Sequence, residues 1–414
     1  MNSFRVGLFL AIRQIRRNNF WTTLLIVFIM TLTFLNLVFV TGILVGLVEG
    51  SSYAYRTQYS GDVLISDLPE KSFIQHSSTL LSMVSQFPEV EAYTSRYLAP
   101  AVIEANYRNL VRPSDVPDQV SAMITGIDPS HEDQVTRLST LVIEGEYLNP
   151  TDEGYVLIGS DLLKQYSRGP GTGEGTLENV AVGDRVRILL GNFQKEVRVK
   201  GIVKSKIQEV SMRVYFVDSE LRKLLGRNDY NVDEIALKLY PGQSPQKVVQ
   251  ALTNQEQDKN ALIRDWEQSQ GTFFTDIKTT FTMLGNSIGA VALAVAAITI
   301  FIVIFINAVT RKKFIGILKG IGISGAAIEI SYVMQSFFYA LVGSTIGTTI
   351  LYGFLEPFFR KNPINFPFSD GILSAPWEGT VVRVLVLLLT TLVAGYLPAR
   401  MIVKKNTLDS ILGR

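Results

Sequence analysis

Residues 290–306 read AVALAVAAITIFIVIFI, seventeen positions without a charge. A helix rises 1.5 Å per residue and a bilayer core is roughly 30 Å thick, so about 20 apolar residues are needed to cross it. The apolar run around this stretch extends from Phe281 to Val309, long enough to span. Three other runs match it: Trp21–Val48, Ala326–Leu355 and Val381–Val403. The third is weaker, because Glu329, Gln335 and several glycines interrupt it. The first is too long for the core of a cleaved signal peptide, and no small-residue cleavage site follows it.

The rest of the composition agrees. Of 414 residues 47% are hydrophobic and 18% charged, where a soluble domain carries about 25% charged. The mean hydropathy is +0.24. A plain soluble enzyme, a fibrous chain and a disordered chain are thereby excluded. With no cysteine, a disulfide scaffold, a thiolate metal site and a cysteine nucleophile are excluded too.

The flanks of the runs set an orientation. Arg5, Arg13, Arg16 and Arg17 precede the first run with no acid among them. Arg311, Lys312, Lys313 and Lys319 lie between the second and third. Arg400, Lys404, Lys405 and Arg414 end the chain against Asp409 alone. Four spans put these three regions on one side, and the positive-inside rule makes that side the cytoplasm. Between Glu49 and Thr280, 24 basic residues stand against 32 acidic ones, a net of −8. The total of +2 therefore hides a basic inner face and an acidic outer domain, and no nucleic-acid partner is expected.

The fold class expected is a four-helix transmembrane bundle plus a mixed α+β extracytoplasmic domain between spans one and two. The boundaries run 1–20 for a cytoplasmic amphipathic helix, 21–48 for span one, 49–280 for the outer domain, 281–309 for span two and 310–325 for a cytoplasmic coupling segment. Span three covers 326–355, an outer loop 356–380, span four 381–403 and a cytoplasmic tail 404–414. Inside the outer domain, Asp62–Ser66, Tyr97–Ala105, Ala122–Ile127, Gly154–Gly159, Gly183–Leu190, Glu196–Val203, Val214–Val217 and Glu234–Leu239 read as strands. Thr79–Phe87, Ser160–Tyr166, Ser219–Leu225 and Pro245–Leu252 read as helices. Residues 121–206 resemble a subdomain inserted between two flanks.

Candidate sites are few. His131 sits in Asp128-Pro-Ser-His-Glu-Asp133, but its acids are adjacent in what reads as a solvated loop, and no metal site is expected. Gly169–Gly175 is glycine-rich but lacks the Lys and Ser/Thr of a phosphate loop, so the chain is expected to carry no ATP site. Gly42, Gly46 and Gly50, then Gly285 and Gly289, then Gly343 and Gly347 recur at intervals of four. This spacing serves close helix packing within a bundle or across a dimer, or is ordinary glycine content of membrane helices. Asn36, Asn286, Asn307 and Gln335 are costly at membrane depth and are read as interhelical glue or part of a pathway. No chain of ionisable groups suits a proton relay. Phe4, Leu8, Ile12 and Ile15 lie near one face of an amphipathic helix expected along the inner membrane surface. Lys313–Gly325 is a short, basic, apolar bend with Ser324 as cap of the next helix; it is a docking site for a partner or a tight connection.

Three of these places resemble the permease subunits of ABC transporters of the MacB/LolC/FtsX group. They are Leu8-Phe-Leu-Ala-Ile-Arg-Gln-Ile-Arg-Arg-Asn-Asn19, Gly316-Ile-Leu-Lys-Gly-Ile-Gly322, and Tyr396-Leu-Pro-Ala-Arg400 with the basic tail. Gly61-Asp62-Val63, Thr125–Pro129 and Gly183-Asp184 are similar to pieces of that group's outer domain. The resemblance covers nearly the whole chain. It implies a mechanotransmission permease: two permease chains, equal or different, paired with a separate ABC ATPase that binds the ATP. Lys313, Phe314, Gly316, Ile317, Leu318, Lys319, Gly320 and Gly322 would couple to it, and Pro398, Ala399 and Arg400 would form the terminal motif. Lys313 or Phe314 stands where the family has a glutamate, which implies a different charge contact. The substrate implied is an amphiphile: a lipoprotein, lipid, peptide or drug. A periplasmic or outer-membrane partner and membrane lipids complete the expected contacts. The alternative is a division-type regulator that controls an extracytoplasmic enzyme; a third class is a membrane-anchored binding protein with no ATPase.

Overall fold

The aliphatic runs fold as helices, because in an apolar medium a helix satisfies every backbone amide internally. In the computed structural model, residues 3–108, 118–166, 175–191, 193–366 and 369–404 are described. Among the described residues, four helices are long and apolar enough to cross a membrane. They are Phe20–Tyr55, Gly271–Thr310, Gly325–Ile350 and Trp377–Val403. The first continues through a π turn at Arg56–Ser60, and the third through one at Leu351–Leu355 into a short helix, Glu356–Lys361. The outer loop expected after span three also holds a small hairpin, Ile364–Asn365 with Asp370–Gly371.

The chain divides into two units. The helical one comprises Met1–Glu49, Asp276–Asn365 and Asp370–Arg414. Its core is built from Met30, Phe34 and Val38 of the first long helix, Ala296, Ile300 and Ile304 of the second, Ile328, Tyr332 and Tyr339 of the third, and Leu387, Ala394 and Ala399 of the fourth. Glycines let these helices approach. A Cβ on Gly343 would lie 2.6 Å from Met30 Cβ, and one on Gly347 would lie 2.4 Å from the Phe34 ring. Gly285 faces Thr41 and Gly289 faces Leu37. Gly42 and Gly46 do something else: they receive the extended segment 372–374 rather than a helix, and Ser374 N donates to Gly42 O at 3.1 Å. A Cβ at Gly46 would stand 1.8 Å from the Ile372 carbonyl oxygen. Gly46→Ala is therefore expected to cost about 1–3 kcal/mol of bundle stability, as overpacking does, measured as a lower unfolding temperature of the full chain in detergent. Gly347→Ala, which meets the Phe34 ring rather than backbone, should cost less.

The second unit, Gly50–Thr275 with Phe366–Ser369, is a mixed ten-stranded sheet with short helices. The strands are β1 (Val63–Ser66), β2 (Val90–Ala105), β3 (Asp118–Ile127), β4 (Val142–Gly145), β5 (Tyr155–Gly159), β6 (Arg185–Leu190), β7 (Phe193–Val203), β8 (Arg213–Val217), β9 (Glu234–Leu239) and β10 (Leu262–Asp265). Their order is β10-β1-β9-β2-β3-β8-β5-β7-β4, with β6 paired to β2 and β7. Among the described strand pairs, β3–β8 and β5–β7 are parallel and the others antiparallel. All eight expected strands are present, and β4 and β10 are additional. The boundary placed at Ser121 falls inside β3, and residues 121–206 belong to the same unit as their flanks. Ser160–Tyr166, expected as a helix, is only a 3-10 turn at Ser160–Leu162, because Leu163 leaves it to bridge Leu177.

Asp128–Asp133 is not a loop. Asp128 Oδ1 accepts from the backbone N–H of Ser130 at 2.9 Å and His131 at 3.1 Å, and caps a helix at Pro129–Thr136. An N-cap aspartate followed by proline at the first helical position starts a helix as readily as a turn. The helix buries Glu132, which takes part in a charge network inside the sheet unit. Arg96 Nη2 donates to Glu132 Oε1 at 2.7 Å, and Arg96 Nη1 to Glu234 Oε2 at 3.1 Å. Arg213 binds both Glu234 oxygens, at 2.9 and 3.1 Å. Tyr59 donates its hydroxyl to Glu234 at 2.6 Å and its carbonyl accepts from Arg96. Both guanidinium carbons lie 5.0 Å from the Tyr59 ring centre. All four charged side chains are buried, and the two arginines balance the two glutamates.

Candidate functional site

The three stretches of the sequence that carry the resemblance lie in the helical unit, on elements joined to one another or to the start of Gly325–Ile350. The N-terminal helix, Ser3–Arg17, lies against the start of Gly325–Ile350. Ser3 Oγ is 3.3 Å from Ser324 Oγ. A Cβ on Gly7 would stand 2.7 Å from Ile330 Cγ2, and Gln335 donates its amide to Gln14. The matched order of these contacts makes the two helices run parallel. The buried residues of the N-terminal helix are Gly7, Ala11 and Gln14, because small side chains allow the approach. Its apolar row of Phe4, Leu8 and Ile12 stays exposed. The helix thus packs on a neighbour through its small-residue face as well as offering an apolar face outward.

Lys312–Gly320 forms a short helix between the second and third long helices. Three residues expected to act alike are divided by it. Ile317 is 53% exposed, Leu318 is 7% exposed and Gly316 is buried. The outward row is Phe314, Ile317 and Ile321, with Lys313 and Gly320 also exposed. Ile315 and Leu318 join the bundle core. Gly322 takes φ +94, so only glycine turns the chain there without strain. Ser324 caps the next helix by accepting from Ala327 N.

The terminal motif closes the cluster. Lys319 Nζ donates to the Val403 carbonyl, satisfying one of the free acceptors at the end of the fourth long helix. A Cβ on Gly325 would meet Val403 Cγ1 at 3.1 Å. Pro398 and Ala399 are buried in the bundle, while Arg400 is exposed with its guanidinium 5.6 Å from the Tyr396 ring centre. The tail beyond Lys404, with Lys405, Leu408–Leu412 and Arg414, lies outside the described residues, as do Asn192 and the glycine-rich stretch 169–174.

Of the polar residues singled out within the spans, Gln335 makes the interhelical hydrogen bond already given. Asn36 and Asn286 are exposed and Asn307 is half-buried. Among the described residues no group of three His, Asp or Glu side chains is placed to hold a metal ion; His131 is exposed beside Asp128. What sequence reading missed is Ile321 and the exposed row it completes. A helical projection of Lys313–Gly322 carried the signal, since 314, 317 and 321 share one face.

A bundle of membrane-length helices joined to a large α+β unit, with a basic bend between two of the helices, defines a membrane permease class. A family model described as MacB-like periplasmic core domain matches residues 23–255, and one described as FtsX-like permease C-terminal matches residues 286–407. The chain belongs to this family of ABC transporter permeases. Similar curated proteins include an uncharacterized ABC transporter permease of Methanocaldococcus jannaschii, 25% identical over 58% of this chain and 61% of that one. The macrolide export ATP-binding/permease protein MacB of Haemophilus ducreyi is 26% identical over 44% of this chain and 26% of its own. The lipoprotein-releasing system transmembrane protein LolC of Neisseria meningitidis is 27% identical over 37% of each chain. Each match spans less than two thirds of the relative's length. Among solved structures, the periplasmic region of MacB from Actinobacillus actinomycetemcomitans aligns with 52% of this chain and 93% of its own, at 14% identity and a TM-score of 0.36.

Proposed function

We propose that this chain is the permease subunit of an ATP-driven complex in the bacterial inner membrane, transmitting the motion of a cytoplasmic ATPase to residues 49–280 outside. The observation that carries this reading is the exposed apolar row Phe314, Ile317 and Ile321 on a basic segment between two membrane-length helices. Water-exposed apolar rows rimmed by charge are docking surfaces. Here the occupant is the ATPase, which binds ATP in place of this chain. The N-terminal helix and the last turn of the fourth long helix touch the same corner, so a push on the bend reaches three helices. A second permease chain, identical or different, completes the complex. The substrate is an amphiphile handled outside the membrane: a lipoprotein, lipid, peptide or drug.

The basic flanks support termini and bend in the cytoplasm. With no native cysteine, single-cysteine labelling reads this directly. Tyr230→Cys, at a position 80% exposed, should react with a membrane-impermeant maleimide in intact spheroplasts. Ile321→Cys should react only after permeabilisation. Equal labelling of both in intact cells would overturn the topology and the function built on it.

A further inference from the structure

A cavity of about 490 Å³ lies wholly within the sheet unit. Arg56, Arg137 and Lys238 line it together with Asp62, Glu91 and Thr136. Arg56 pairs with Asp62, and Lys238 Nζ lies 2.8 Å from Glu91. Arg137 remains: among the described residues its guanidinium has neither an ion pair nor a hydrogen bond, and it is exposed. Its backbone is left-handed, φ 55 and ψ 39, at the C-cap of Pro129–Thr136, with its N–H donating to Asp133 O. Helices end in this conformation on glycine or asparagine. Its carbonyl accepts from Thr140 N at 2.9 Å and Thr140 Oγ1 at 2.8 Å, but the arginine side chain gains no contact to offset the strain. Local rules broken without such a gain point to a site.

We propose that this cavity binds a phosphate-bearing anion, with Arg137 as the pairing residue and Arg56 and Lys238 as supporting charges. Three cations against two carboxylates leave a net charge of +1, which matches a singly charged phosphate group. The planar guanidinium presents two parallel N–H groups to two phosphate oxygens. The same chemistry is offered by a phospholipid headgroup and by free phosphate. The stretch Arg56–Asp62 directly follows the first long helix, which favours the headgroup. That preference alone rests on the topology proposed above; the site itself does not.

The test uses the full chain in dodecylmaltoside, a detergent without phosphate. Dihexanoylphosphatidylglycerol, inorganic phosphate and zwitterionic dihexanoylphosphatidylcholine are titrated by calorimetry. The glycerol lipid should bind more tightly than the choline lipid. Arg137→Gly should weaken it about tenfold, the loss of one charge-assisted contact, and Arg137→Lys should retain part. Because glycine suits the left-handed backbone, the unfolding temperature of Arg137→Gly should not fall. Weaker binding of inorganic phosphate assigns the headgroup as the source, and equal binding assigns free phosphate. Unchanged binding in Arg137→Gly, equal binding of the choline lipid, or no binding of either anion overturns the proposal. None of these readouts involves ATP hydrolysis, so the site can fail while the permease reading stands.

Discussion

Arg96→Met is expected to destabilise the sheet unit by about 3–5 kcal/mol, the cost of leaving a buried charge without its partner. Arg96 is 2% exposed and contacts Glu132, Glu234 and the Tyr59 carbonyl. Its loss leaves Glu234 with Arg213 and Tyr59 but Glu132 buried without a cation. Glu132 would keep only the hydroxyls of Thr94 and Thr136. The double variant Arg96→Met, Glu132→Gln should recover most of the loss, because it restores neutrality. Hydrogen exchange of β2, β8 and β9 in the full chain reads the effect, and unaltered exchange in the single variant would refute it. The pH dependence follows from two adjacent groups with opposite signs. Burial raises the Glu234 carboxyl, but the Arg213 charge and hydrogen bond, then Arg96, hold it at about 2 against an ordinary 4.5. A depressed carboxyl contributes stability that is lost as pH falls from about 4.5 toward about 2. Asp233 is pushed by burial to about 6 from 3.8. A raised carboxyl contributes stability that is lost as pH rises through about 6. The sheet unit should therefore be most stable at mildly acidic pH and loosen on both sides.

The second large effect belongs to the bend. Ile317→Glu should weaken ATPase association by about thirtyfold or more, the scale of a central hot-spot residue, with the fold intact because Ile317 is more than half exposed. Leu318→Glu should act differently. Its side chain is part of the bundle core, so a carboxylate there should lower the unfolding temperature of the chain itself. Co-purification of the ATPase, set beside thermal unfolding of each variant, separates the two. If Ile317→Glu retained full ATPase binding, the outward row would not be the docking surface.

The four long helices were legible because hydrophobic length is a local property that no packing can disguise. The strands of the sheet unit were legible from alternation and from Gly and Pro punctuation. The helix at Pro129–Thr136 was not, since Asp-Pro-Ser starts a turn and a helix with the same residues. β10 was missed because four residues beside a helix carry too little pattern. The bend was found from its composition, yet the division between Ile317 and Leu318 needed the helix it forms. Gly42 and Gly46 looked like a helix-packing pair, whereas the neighbour they admit is the extended segment 372–374.

The amino-acid sequence alone determined the number of membrane-length helices, the large α+β unit between the first two, and the family, because each depends on composition, length or short contiguous motifs. The tertiary structure decided which residues of those motifs face outward, and it brought Ser3, Ser324 and Val403 to one corner. It also joined Arg96, Glu132, Arg213 and Glu234, residues 138 positions apart at their widest. Charges so far separated attract one another only after the sheet has excluded the water between them, so their pairing is a property of the fold rather than of any stretch of chain.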